Sequence, residues 1–142
     1  MCLDYDLKPK QAAKIKAEAQ RRGYIRVWKV CMKGKRTGWY KGTRWKKGLR
    51  KAKNLKQMDG GWYAYLSLEG AKSVRNYWGD EDHTIKICYA KPQWIKRFGK
   101  ICMGKWANVG LFTHLCFPDW DKGDMTIREF RDMCKERKNV NY

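Results

Sequence analysis

The chain has 142 residues, 43% of them apolar, and a formal net charge of +19. That length suits one domain that can bury a core without staples, and no apolar run approaches the ~20 residues that span a bilayer, which excludes a transmembrane helix. The charge is concentrated, because residues 19–58 hold 15 Lys or Arg and no Asp or Glu, so an evenly spread solubility charge is excluded too.

The opening residues Met1 to Asp6 offer neither a basic nor an apolar leader region, so a cytoplasmic location without membrane contact is expected. Asp6 followed by Lys8-Pro9-Lys10 predicts a helix start, with Ala12, Ile15 and Ala19 as a thin apolar stripe and Gly23 as its C-terminal cap. Residues 24–32 are β-branched and aromatic and predict a strand. Gly34 to Gly38 forms a basic turn, and Trp39-Tyr40 with Trp45 predicts the returning strand of a hairpin. Residues 46–60, rich in Lys with little periodicity, read as a loop or short helix.

Trp62 to Tyr65 predicts a strand, followed by a helix that Ser67 caps, Glu69 favours in its first turn and Gly79 stops after Trp78. Residues 84–90 alternate, with Ile85, Ile87 and Tyr89 on one face, and Pro92 ends that strand. Residues 93–108 carry no predicted element. A second alternation runs from Val109 to Phe117, closed by Pro118. Thr126-Ile-Arg-Glu129 is a capping box that opens an amphipathic helix to about Lys138. Strands and helices without regular βαβ order predict a single α+β domain over residues 1–142, a mostly antiparallel sheet with two or three helices on one face.

The basic block supplies the candidate site. Lys33, Lys35, Arg36, Lys41, Arg44, Lys46, Lys47, Arg50, Lys51 and Lys53 are expected to contact phosphates, and Trp39, Tyr40 and Trp45 to stack on bases. Trp28 alternates with Val30 and reads as core. The near-neutral half, residues 59–142, supplies scaffold. The expected partner is nucleic acid, single-stranded or structured, or a complex containing it. The alternative partner is an acidic protein surface. Size, tryptophan content and the lack of a common motif fit a phage or mobile-element accessory protein, such as an inhibitor of a host nucleic-acid-processing system.

Catalysis, cofactors and metal are not expected. Six cysteines without a C-x-x-C pair read as reduced, mostly buried thiols. The best zinc candidates are His114 and Cys116 with His83 or Cys88, and the bland reading is a strand that packs them. Asp80-Glu81-Asp82-His83 has cation-ligand types but reads as a solvated connector. Asp119, Asp121 and Asp124 fail as an EF-hand, because Gly123 stands at the fifth loop position and Phe130 where the twelfth-position Glu belongs. His114 near Cys116 is a weak nucleophile–base pair.

Residues 60–71, Gly-Gly-Trp-Tyr-Ala-Tyr-Leu-Ser-Leu-Glu-Gly-Ala, resemble a segment of small phage and bacterial domains, and through it the strand-to-helix step of the ADP-ribosyltransferase-like fold. The resemblance covers about a dozen residues and implies a nucleotide-binding domain with a cleft near Tyr63 and Ser67. The chain has no Glu-x-Glu pair to go with it.

Overall fold

The computed structural model of the protein describes residues 3–32, 47–53, 55–57, 60–118 and 125–136. The basic turn expected at residues 34–38, the returning strand expected around Trp39 to Trp45, and Asp119, Asp121, Gly123 and Asp124 lie outside the described residues. Within them the order is β1 (Tyr5–Asp6), α1 (Pro9–Arg22), β2 (Ile25–Met32), β3 (Gly48–Lys51), β4 (Trp62–Tyr65), α2 (Leu68–Trp78) and β5 (His83–Ala90). A 3-10 turn (Pro92–Trp94) follows, then β6 (Ile95–Met103), β7 (Lys105–Phe112), β8 (His114–Phe117) and α3 (Ile127–Glu136). The class is α+β, with three helices and an antiparallel eight-stranded sheet among the described residues.

Each helix begins or ends where local chemistry dictates. Gly23 closes α1 in the left-handed region at φ 81°, its N–H donating to Ala19 O at 2.8 Å. Ala12, Ile15 and Ala19 turn inward, only Ala19 is fully buried, and the rest of α1 is exposed. Ser67 Oγ accepts from Gly70 N at 3.0 Å to cap α2. Thr126 Oγ1 accepts from Glu129 N at 3.1 Å and donates to the Glu129 carboxylate, so the capping box starts α3. No helix in the described residues is long and apolar enough to cross a membrane.

Three stretches depart from the sequence expectation. Within 46–60, Gly48–Lys51 is a strand rather than loop or helix, because Leu49 and its neighbours pair with β8. Residues 95–108 form most of the β6–β7 hairpin, which returns through Gly104 at φ 78°. The alternation from Val109 to Phe117 is split: β7 ends at Phe112 and β8 starts at His114.

The sheet order is β1-β6-β7-β4-β2-β5-β8-β3. Thr113 alone separates β7 from β8, yet β7 pairs with β4 and β8 with β5. Since β4 and β5 both flank β2, the bent β7–β8 segment joins the two sides of the sheet into a ring. Burial follows from that closure. Val27, Cys31, Ala64, Cys88, Ala90, Phe112, Leu115 and Phe117 share the inner face and are sealed from solvent, although no residue of the three helices belongs to their cluster. Trp62 helps shut the ring, edge-on to Phe117 at 5.0 Å and donating from Nε1 to Arg50 O at 3.0 Å. The outer face takes the helices. α2 covers Val30, Tyr65, Ala107 and Val109, while α3 sets Phe130 and Cys134 against Leu49, Tyr89 and Cys116.

Candidate nucleic-acid interface

Of the cations chosen from sequence, Lys33, Lys35, Arg36, Lys41, Arg44 and Lys46 lie outside the described residues, as do Trp39, Tyr40 and Trp45. The remaining four flank or form β3. Lys51 and Lys53 are exposed at its end, and Lys51 pairs in register with His114 of β8. Lys47 is exposed before the strand. Arg50 is half-buried and turns back on the chain, its guanidinium donating to Lys47 O at 2.8 Å.

Several other cations serve the fold. Lys29 lies within the sheet, 3% exposed. Strands β2 and β4 share only the Trp28–Tyr65 pairing, and where the ladder lapses Lys29 Nζ donates to Tyr63 O at 2.6 Å. The ammonium also stands 4.2 Å from the Tyr63 ring centroid. Burial pushes its pKa down to about 8, against the opposing pull of Cys88 and Cys31. Lys96 Nζ donates to the carbonyls of Gln57 (2.6 Å), Gly60 (2.7 Å) and Leu55 (3.3 Å), so it organises the loop before β4. Arg97 pairs with Asp6, and Arg21 and Arg22 share Glu18.

A different set forms a succession in which Lys16 and Lys51 are exposed and Lys91, Trp94 and His114 are half-buried. Lys16, Gln20 and Gly23 of the α1 end face Lys91, Pro92, Gln93 and Ile95 across an open cleft of about 550 Å³. From there Lys91 Nζ lies 5.8 Å from the centre of the Trp94 ring. Trp94 in turn lies over His114, with ring centroids 5.3 Å apart and planes 33° from parallel. His114 adjoins Lys51. Burial, and then the Lys51 ammonium, hold the His114 imidazole below the ordinary histidine pKa. Lys16, Lys91, Trp94, His114 and Lys51 therefore follow one another, although they are scattered over 99 positions from 16 to 114. No carboxylate lies within ion-pair distance of these three lysines among the described residues. Such a surface can neutralise phosphates, and its cleft can donate and accept hydrogen bonds through two glutamines.

Exposed rings occur at another place, which sequence patterning did not single out. Tyr5 of β1 and Trp106 of β7 are 61% and 54% exposed, with centroids 5.4 Å apart and planes at 52°. Lys100 of β6 reaches to 5.9 Å from the Trp106 centroid. The available signal was the Lys105-Trp106 step after Gly104, a hairpin turn with a large ring just beyond it.

Metal and thiol candidates are dispersed. His114 Nδ1 is hydrogen-bonded to Thr113 Oγ1 at 2.8 Å, whereas Cys116 Sγ turns under α3 to Met133 Sδ at 3.1 Å. Cys88 lies on the inner face, and His83 is anchored to Gly79 O at 2.8 Å. Among the described residues no three His, Cys, Asp or Glu side chains gather as a metal site requires. Cys31, Cys88, Cys116 and Cys134 are buried free thiols, and Cys102 is exposed. Burial pushes the Cys31, Cys88 and Cys134 thiols up, away from the reactive thiolate.

The residues behind the transferase-like resemblance have structural uses. Ser67 Oγ is taken by the α2 cap, and Tyr63 packs edge-on to Tyr65 at 6.3 Å beneath Lys29, with burial pushing its phenol pKa up to about 12. Comparison with protein-family models, with curated proteins and with solved structures finds no match for this chain.

Proposed function

We propose that the protein binds nucleic acid without catalysing a reaction, through the surface running from Lys16 and Lys91 to Lys51. The observation that supports this is the succession from Lys16 and Lys91, which line one cleft, through Trp94 and His114 to Lys51, with no carboxylate ion-paired to these lysines among the described residues. A polyanion offsets the repulsion among such cations, and a phosphate chain supplies a run of separate anions. The basic block of residues 19–58 enters the same surface through Lys51.

Titrating labelled single-stranded and duplex oligonucleotides at rising salt tests this reading. Log affinity should fall linearly with log salt. Replacing Lys16, Lys51 and Lys91 by Glu should weaken binding and reduce the single-strand slope by about 0.7 for each phosphate that is no longer neutralised. Lys16 and Lys51 are exposed and Lys91 is half-buried, so the Lys16→Glu/Lys51→Glu double variant should leave the unfolding curve nearly unmoved while it weakens binding. No binding by the parent chain to any nucleic acid, or a slope unaltered in the triple variant, would refute the assignment.

A further inference from the structure

On the side of the β6–β7 hairpin turned away from α2, the sheet presents rings to water instead of burying them. Tyr5, Lys100 and Trp106 meet on that side. Tyr5 is the register partner of Lys100, and Trp106 is the register partner of Cys102, the exposed cysteine. Two large rings more than half exposed and in mutual contact lose apolar burial that a folded chain ordinarily secures. Their position is held firmly. Gly99 lets β1 approach: a Cβ there would stand 2.5 Å from Leu3 Cδ1 and 2.7 Å from Tyr5 O. The nearby acids are engaged elsewhere, Asp6 with Arg97 and Asp4 through its carboxylate with the Cys102 amide at 3.0 Å. Asp4 keeps its negative charge, and the Lys100 ammonium with exposed Lys105, next in the chain to Trp106, leaves the surroundings of the rings cationic on balance.

We propose that Tyr5 and Trp106 form a stacking platform for a base of single-stranded nucleic acid, with Lys100 meeting the adjoining phosphate. Charge decides the occupant. A purely apolar partner would leave the Lys100 ammonium beside desolvated rings, whereas a nucleotide supplies a π-face for Trp106 and an anion for the lysine together. The inference rests on the nucleic-acid reading above but occupies different residues, so the two can fail separately.

Cys102 provides the readout. Its thiol stands across the ladder from Trp106, and the Cys2→Ser background removes the other cysteine outside the four buried ones. In that background, thymidine and uridine oligonucleotides should slow alkylation of Cys102 and quench tryptophan fluorescence. An abasic oligonucleotide of equal length, which keeps the phosphates, should do neither. Trp106→Ala and Tyr5→Ala should each weaken single-strand binding by roughly five- to 150-fold, the effect of losing one stacked base, while duplex binding stays near the parent value. Preference between the thymidine and uridine strands assigns DNA or RNA as the source of the base. Equal protection by the abasic strand, or full affinity in Trp106→Ala, overturns the platform and leaves the cationic surface standing. Protection of Cys102 that grows with protein concentration alone overturns it in favour of a second copy of the chain. Failure of every oligonucleotide to bind the parent overturns both readings.

Discussion

Position 29 shows how alternation can locate a side chain without revealing its role. The odd residues of β2 face the inside of the ring, so the strand that buries Val27 and Cys31 must bury Lys29 as well. By composition a lysine there reads as one more cation of the basic block. What the sequence could not show is the lapse between β2 and β4 that leaves Tyr63 O for its ammonium. The consequence is a stability that depends on pH. With a pKa of about 8 folded and about 10.4 unfolded, Lys29 holds fewer protons in the folded chain between those values, so its contribution to stability rises with pH there. Cys31 and Cys88 act in the opposite sense: burial raises their pKa values, and the stability they contribute falls once pH passes the ordinary thiol range. The raw pH profile mixes the two, but a Lys29→Met variant shares the thiols. Between about pH 7 and about pH 10 the parent should gain about 2 kcal/mol relative to Lys29→Met in urea unfolding. A gap that stays constant would show that Lys29 titrates normally and that its burial does not perturb it.

At the scale of elements, legibility followed local rules. Ser67 with Gly70, Thr126 with Glu129, and Gly23 after Arg22 set helix boundaries through contacts within four residues, and these were readable. β3 was not, since its four residues sit among lysines and Leu49 pairs in register with Cys116, 67 positions away. β6 was hidden for another reason. A bulge between Ile95 and Arg97 shifts its register, so Ile95 and Phe98, three apart, share a face because their partners Phe112 and Gly110 are two apart, and this breaks the period of two. Its edge partner β1 is held by the close approach at Gly99, so Gly99→Ala should open that edge. The expected cost is about 1–3 kcal/mol, the range for forcing a methyl into filled space. Hydrogen exchange gives the local readout. The amides of Asp4 and Leu7, which donate to Lys100 O and Phe98 O, should lose protection, whereas those joining β7 to β4 should keep it. Unchanged protection at Asp4 would mean the edge accommodates the methyl by sliding.

At the scale of the whole molecule, ring closure through Thr113 accounts for both the core and the candidate surface. By carrying β8 back beside β5 and β3, it sets His114 against Lys51 and under Trp94, and Trp94 leads on to Lys91 and the end of α1. A block contiguous in sequence could be seen in advance, but a surface assembled from α1, the 3-10 turn, β3 and β8 could not. That assembly makes a pH-dependent prediction. In the free protein, burial and the Lys51 ammonium keep the His114 imidazole from taking a proton until pH falls below the ordinary histidine value. A phosphate chain on Lys51 would offset that repulsion and favour the imidazolium, so binding should raise the His114 pKa. By linkage, a ligand that raises a pKa binds more tightly as pH falls through that range. Single-strand affinity should therefore increase, on the order of a few-fold, from about pH 8 to about pH 5.5, with uptake of a proton on binding. His114→Gln should match the parent near the top of that range, where the imidazole is neutral, and lose the rise at low pH. Equal pH dependence in the parent and the variant would mean that no phosphate comes close to His114, and the path of the strand would then have to leave the surface before β8.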